Sequence, residues 1–455
     1  MKFYEVMVLT RIVKILVYHI TFMDLYDTII VGGGIAGLYS AWLLPPGHKF
    51  AILEKYDVVG GRIQTYEDKH MRVEKGAARF HEKNYLLLEL IREMGLEDRM
   101  VKISSDSYFY PSNGSGVPYT ENETVNMLMN PLKTILEILF INSHNPIAPL
   151  IARVIVFSKT MTTSELMSTT FIAVARKTLS EPDVQLIIDS FGFYTELVDM
   201  NAHDCILLME GGLNPNNQFF VMRGGLSQLI DALVKRLKPH IFTGMEVSSI
   251  SYEKNHFEIK VGKKVFHSLN CICAIPKQNL MDLKIFKPLQ KLTKYIECHP
   301  LCRIYSKFDM SDKRNAWIHD LPKLTTNNNL RMIIPIDSKK GVIMISYTDN
   351  KFADFWKALN AKSGVRGVNA EIARLVRETL GINIPSPIST KIFHWECGVG
   401  YWGVGADSTA IESALLKPFP KTPLYICGEH YSASNQQWVE GALETSKKVV
   451  EMLTC

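Results

Sequence analysis

The sequence predicts an α/β fold built from two interleaved domains, and three observations predict it. An apolar, β-branched run, Thr28-Ile29-Ile30-Val31, leads into Gly32-Gly33-Gly34-Ile35-Ala36-Gly37, and an amphipathic run with Leu38, Trp42 and Leu43 leads out. Helix-like and strand-like patterns then alternate in blocks along the chain. At 455 residues the chain is also long for a single core, so two domains are the default.

The first of these observations is the most specific. The glycines let the chain turn sharply, approach a pyrophosphate closely and pack a helix on a strand. The helix start offers unpaired N–H groups and a positive dipole end to that pyrophosphate. A second strand, Lys49 to Leu53, ends in Glu54, twenty residues beyond Gly34, where an acid can accept hydrogen bonds from ribose hydroxyls. Strand, spacing and acid together favour a dinucleotide site over a glycine turn of another α/β fold.

Residues 24 to about 85 therefore read as strand, helix, strand. From about 86 to 212 helical periodicity dominates, as in Leu86 to Arg92 and Val184 to Asp189. From 213 to about 285 helix and alternating strands return, for example over His256 to Val261. From about 286 to 418 strands predominate, at Ile304 to Phe308, Met332 to Ile336 and Gly341 to Tyr347. Residues 419–455 supply a last strand and a last helix. Segments 24–85, 213–285 and 419–455 are expected to form the dinucleotide-binding domain. The helix-rich 86–212 and the strand-rich 286–418 would be insertions that build a mixed α+β substrate-binding domain. No internal repeat is evident.

The residues after Glu54 narrow the choice of dinucleotide. Gly60-Gly61-Arg62 resembles the continuation seen in many flavoproteins and, with further pieces, the flavin-containing amine oxidase family. Glu74-Lys75-Gly76-Ala77-Ala78-Arg79-Phe80 is similar to the family's next FAD-contacting loop. Gly224-Gly225-Leu226 and, after a short strand, Glu246-Val247 resemble its return to the FAD domain. Tyr425-Ile426-Cys427-Gly428-Glu429 and Trp438-Val439-Glu440-Gly441-Ala442 resemble its closing strand and helix. The pieces occur in family order from about residue 27 to the end.

This resemblance implies an FAD-binding Rossmann-like domain of the GR2 type. It implies FAD contacts at Gly32, Gly34, Ile35, Ala36, Gly37, Glu54, Gly61 and Arg62. Further contacts would come from Gly76, Ala77, Ala78, Arg79, Val247, Gly428, Glu429, Val439 and Ala442. It also implies amine oxidation: hydride passes from the carbon bearing the amine to flavin N5, the imine hydrolyses, and oxygen reoxidises the flavin with release of H2O2. The cofactor supplies that redox chemistry, and the protein supplies orientation, a neutral amine and a dry pocket. Aromatic walls are accordingly expected, more than an acid–base pair.

The resemblance also supplies three catalytic candidates. Tyr401, in Gly400-Tyr401-Trp402, and Trp438 match the two rings that sandwich the amine. Arg303 falls where the family usually places a lysine that holds a water on flavin N5, and arginine is bulkier, planar and always charged. The loop between Trp395 and Tyr401 is shorter than in monoamine oxidases. Members with covalent flavin carry a cysteine immediately before that tyrosine, where this chain has Gly400, so the FAD is expected to be non-covalent. For substrate, Arg79 resembles the arginine with which L-amino acid oxidases clamp a carboxylate, a strong charge-assisted pair. Tyr347 matches a tyrosine that shares that carboxylate, while Gln437 replaces a glycine before the tryptophan. An L-amino acid oxidase is the leading sub-class, followed by polyamine or monoamine oxidation. A protoporphyrinogen-oxidase-like or desaturase-like flavoprotein, or one that has lost catalysis, are the other readings.

Composition sets outer bounds. A 47% hydrophobic, 21% charged chain is that of an ordinary soluble globular protein. A net charge of +5 without a dense basic tract makes nucleic acid an unexpected partner. Eight cysteines show no CxxC pair and no companion histidine spacing for zinc, so no metal is expected and the thiols are read as reduced and cytoplasmic. Residues 1–23 mix charge with short apolar stretches, unlike a signal peptide or a bilayer span, and are read as a dispensable extension. A basic amphipathic surface helix there is the alternative. No stable membrane anchor is expected, the C-terminal anchor of mitochondrial monoamine oxidases included. The sequons at Asn113 and Asn122 are read as chance matches, and oligomeric state is left open.

Overall fold

A computed structural model describes residues 25–104, 107–112, 148–211 and 217–455. Residues 1–23 and the sequons at Asn113 and Asn122 lie outside the described residues.

The first sheet has seven strands. Its centre is Leu25–Val31, flanked in parallel by Phe50–Leu53 on one side and Lys264–Cys273 on the other. Ile241–Phe242 and Leu424–Ile426 add parallel partners, and the hairpin strands Ser249–Glu253 and His256–Val261 continue antiparallel. Parallel strands buried on both faces read as continuous apolar runs, and Ile29, Ile30, Ala51 and Ile52 are fully buried. On one face, the helices Ile35–Leu43, Ser227–Leu237 and Val439–Thr454 close a single core. Gly32 takes φ 105°, a turn that favours glycine. At Gly37 a Cβ would run into the Gly32 carbonyl oxygen, so only glycine lets the helix sit on the strand.

The second sheet has six strands, ordered Ser389–Trp402, Ile296–Lys307, Val342–Asp349, Met332–Asp337, Leu324–Thr325 and Tyr108–Phe109. Helices from Ala148–Ser158 to Ala202–Glu210 form a separate apolar cluster beside it. A small three-stranded sheet of Arg79–His81, Phe219–Met222 and Met100–Ile103 completes the walls around a large internal cavity.

The element boundaries differ from the sequence reading in three places. Helix Tyr85–Glu93 packs Leu87, Leu88, Leu90 and Ile91 into the first sheet's core, so the break placed at 85/86 falls inside that unit. The Glu440 carboxylate fixes it there by accepting from Leu86 N and Leu87 N at 2.8 and 3.0 Å. The strand-rich block 286–418 contains the longest helix among the described residues, Asn350–Leu380, broken at Gly364 with φ 59°. Only one narrow stripe of it is buried, including Trp356 and Leu375, so its apolar periodicity is faint. Finally, helix Ser408–Leu416 buries Ile411 and Leu415 against the first sheet. None of the described helices is long and apolar enough to cross a membrane.

Candidate active site

One cavity of about 2560 Å³ runs from the glycine turn to the second sheet. Its nucleotide end is made by backbone. Helix Ile35–Leu43 begins at Gly34 with no side-chain cap and no acid in its first turn, leaving its N–H groups to the cavity. Gly32, Gly34, Ile35 and Ala36 line the cavity there, with Glu54 at the end of the next strand. The Glu54 carboxylate accepts from Gly33 N at 2.7 Å and Tyr56 N at 3.0 Å, which locks the turn to the second strand. Gly61, Arg62, Gly76, Ala77, Ala78, Arg79 and Val247 line the long wall, and Gly428, Glu429, Val439 and Ala442 the opposite one. Gly37 does not line it; it serves the helix–strand contact instead. An uncapped helix start, a strand-end acid and a wall of small residues are the donor set and shape that an anionic dinucleotide needs.

The middle of the cavity is held by a buried ionic cluster. Arg62 Nη1 lies 2.8 Å from Glu429 Oε2 and donates to the Gly398 carbonyl at 3.0 Å. Glu429 Oε1 accepts from Gly400 N and Gln437 N, at 2.9 and 2.7 Å. Burial raises the Glu429 carboxyl, but Arg62 and those two N–H groups outweigh it and hold it below the usual carboxylate range. Burial lowers His430 to about 4, so its ring is neutral. Gln437 takes φ 72°, the left-handed region in which a glycine costs nothing. The residue that stands where the family has glycine therefore adopts the glycine conformation.

At the substrate end the predicted residues come together only in part. Arg303, Tyr347, Arg79 and Trp438 line the cavity. The Arg303 guanidinium lies 4.6 Å over the Tyr347 ring and donates from Nη2 to Tyr347 Oη and from Nη1 to the Glu74 carbonyl, both at 3.4 Å. Arg303 is 7% exposed, a buried guanidinium on its strand. Arg79 lies 5.2 Å over the Phe219 ring, and Phe219 in turn faces Trp438 at 6.4 Å.

Tyr401, expected as the second aromatic wall, is not among the residues that line the cavity. The segment from Trp395 to Tyr401 is no loop but the end of strand Ser389–Trp402. Its cavity-lining stretch stops at Val399. Beyond it, Tyr401 packs into the helical cluster and stacks on His299 at 4.1 Å. Trp395, six residues earlier, lines the cavity instead, with Nε1 donating to the Lys75 carbonyl at 2.7 Å.

Sequence reasoning missed two further features. Glu196 lines the cavity, is 4% exposed, and its Oε2 has no hydrogen-bond partner. Burial first, then the neighbouring Asp349 carboxylate, push it up to about 8. Asp349 accepts from Tyr194 N and Thr195 N at 3.1 and 2.8 Å, which pins the turn that carries Glu196. The other feature is a disulfide, Cys298–Cys397, in the cavity wall. It corrects the expectation of fully reduced cysteines: paired antiparallel strands bring the two Cα atoms to 5.3 Å. The two cysteines stand 99 residues apart in the chain. Cys271 and Cys273, as their strand alternation suggests, are buried and free.

The sequence model of flavin containing amine oxidoreductases matches residues 35–453. The flavin-dependent L-tryptophan oxidase RebO of Lentzea aerocolonigenes is 22% identical, over 93% of this chain and 97% of that protein. The L-amino acid oxidase bordonein-L of Crotalus durissus terrificus is 25% identical, over 92% of this chain and 84% of that protein. Among solved structures, putrescine oxidase bound to putrescine superposes with a TM-score of 0.72 at 15% identity, covering 94% of this chain and 99% of that one. With a family model spanning nearly all of it, and a cavity shaped at one end for a dinucleotide and walled by buried aromatic and charged groups at the other, this chain belongs to the flavin containing amine oxidoreductase family.

Proposed function

We propose that this flavin amine oxidoreductase is an FAD-dependent oxidase that holds its FAD non-covalently and acts on L-amino acids. The observation that carries the substrate class is the presence of two arginines, Arg79 and Arg303, in one cavity with Tyr347 and Trp438. Guanidinium groups in one cavity attract a carboxylate strongly and disfavour a substrate whose groups are all cationic. The names of RebO and bordonein-L point to the same class. Arg79 is the carboxylate clamp, Tyr347 the second donor, and Trp438 and Trp395 the apolar walls that exclude water. Bound FAD supplies the two-electron acceptor and passes the electrons to oxygen.

An amino acid arrives with its nitrogen protonated, and oxidation needs it neutral. Glu196 Oε2, buried in the same cavity, can take up that proton only as the carboxylate, a form that burial and Asp349 confine to pH above about 8. For the cofactor linkage, Gly400 offers no thiol and the nearby Cys397 is engaged by Cys298, so a covalent flavin has no partner there. Glu196 and Asp349 also favour a second reading, di- or polyamine oxidation, because a second ammonium would neutralise this carboxyl pair.

A peroxide-coupled screen of amino acids, monoamines and polyamines tests the proposal. We expect H2O2 from one or more L-amino acids, and yellow protein whose flavin enters the supernatant on acid precipitation. Peroxide from putrescine or spermidine alone selects the second reading. Flavin that stays with the acid pellet overturns the non-covalent assignment, and flavin-loaded protein that makes no peroxide from any compound overturns the oxidase.

A further inference from the structure

Three metal-ligand side chains converge on the hairpin at the edge of the first sheet, away from the cavity. His256 and Glu258 stand two residues apart on strand His256–Val261, so they point to the same face. His267, on Lys264–Cys273, is the direct cross-strand partner of Glu258. One ligand atom from each lies within 4.8 Å of the others, and the two imidazole rings are 5.3 Å apart. None of the three lines the cavity.

The surroundings leave these groups without other employment. His267 Nδ1 is buried with no hydrogen-bond partner, a state that costs about 1–3 kcal/mol. The Glu258 carboxylate has no ion pair or hydrogen bond among the described residues. His256 Nδ1 lies 3.3 Å from the Lys254 carbonyl. As an N–H donor there it keeps the Nε2 lone pair for a ligand, the usual arrangement of a metal-bound imidazole. The frame is rigid: Lys254 and Asn255 both take positive φ, 50° and 65°, as a two-residue type I′ hairpin turn requires, and His256 comes directly after.

We propose that His256, Glu258 and His267 form a binding site for a borderline divalent transition ion, with Zn²⁺ as the reference occupant. Two imidazoles and one carboxylate suit Zn²⁺, Ni²⁺, Co²⁺ or Cu²⁺, and disfavour Mg²⁺ and Ca²⁺, which take oxygen ligands. Three protein ligands leave a fourth position for water. The ion would clip together two neighbouring strands of the nucleotide-binding sheet, at residues that do not line the cavity.

The test uses flavin-loaded protein, stripped with chelator and dialysed against Zn²⁺ in excess Mg²⁺. We expect one equivalent of Zn²⁺ retained in the wild type, and affinity at least tenfold weaker in Glu258→Gln and in His267→Ala. Flavin absorbance checks that the variants are folded. Cu²⁺ added to the unaltered protein provides a readout independent of any variant, because EPR should show hyperfine splitting from two nitrogens. Unchanged Zn²⁺ affinity in both folded variants, no retained equivalent in the wild type, or a Cu²⁺ spectrum without nitrogen coupling would each overturn the site.

Discussion

The two ends of the cavity are built on different principles. At the nucleotide end the work is done by backbone: an uncapped helix start, a glycine turn and one acid, all between Gly32 and Arg62. At the substrate end it is done by side chains that meet only in three dimensions. Arg79 comes from the small sheet, Glu196 from the helical cluster, Arg303, Tyr347 and Trp395 from three strands of the second sheet, and Trp438 from the turn before the last helix. A backbone site tolerates almost no change of residue. A side-chain site can be re-tuned one residue at a time without loss of the fold.

The sharpest way to break that contrast is at Gly37. Its Cβ position is filled by a backbone oxygen, which cannot swing aside. Gly37→Ala should cost at least about 3 kcal/mol, the upper end of the usual overpacking range, and should abolish flavin retention. Purified Gly37→Ala protein with wild-type flavin content and melting temperature would show that the glycine turn is not a rigid element.

Arg79→Ala should behave differently, because it leaves the nucleotide end intact. A charge-assisted hydrogen bond is worth about 1.5–3 kcal/mol, so kcat/KM for amino acids should fall roughly 10- to 100-fold. Flavin content and turnover of simple amines should stay near wild type. An equal fall for amines and amino acids would remove the clamp and leave Arg79 as a cofactor or packing residue.

The same contrast explains what could be read from the chain. The nucleotide end was legible because its parts are local: Gly32 to Gly37, Glu54 at a set distance, and the buried β-branched strands that carry them. Arg79, Arg303, Tyr347 and Trp438 were found only through their place in longer motifs. Glu196 was not found, since a glutamate in a helical stretch carries no local sign of burial; the packing of Asp349 and Gln437 around it creates its environment. Tyr401 was named by its motif position alone, which cannot tell where a cavity ends along a continuous strand. The Cys298–Cys397 pair depends on the register of two strands far apart in sequence, which no spacing rule reports.

Glu196 offers the smallest effect and the finest resolution of the two ends. Its folded proton affinity is raised from 4.5 to about 8, chiefly by burial and then by Asp349. A carboxyl shifted upward favours the folded state most below its unfolded pKa of 4.5, and that contribution is lost as pH rises towards 8. Glu196→Gln removes the titration and keeps the size and a hydrogen-bonding tip. The variant should therefore melt close to the wild type at pH 5 and above it at pH 8.5, by a few degrees in thermal unfolding. Its flavin content should not change, because the group lies at the substrate end. A melting difference that is flat across this range would mean that Glu196 is already ionised in the fold, with a cation beside it, and would move the balance from amino acids towards a substrate that carries a second ammonium.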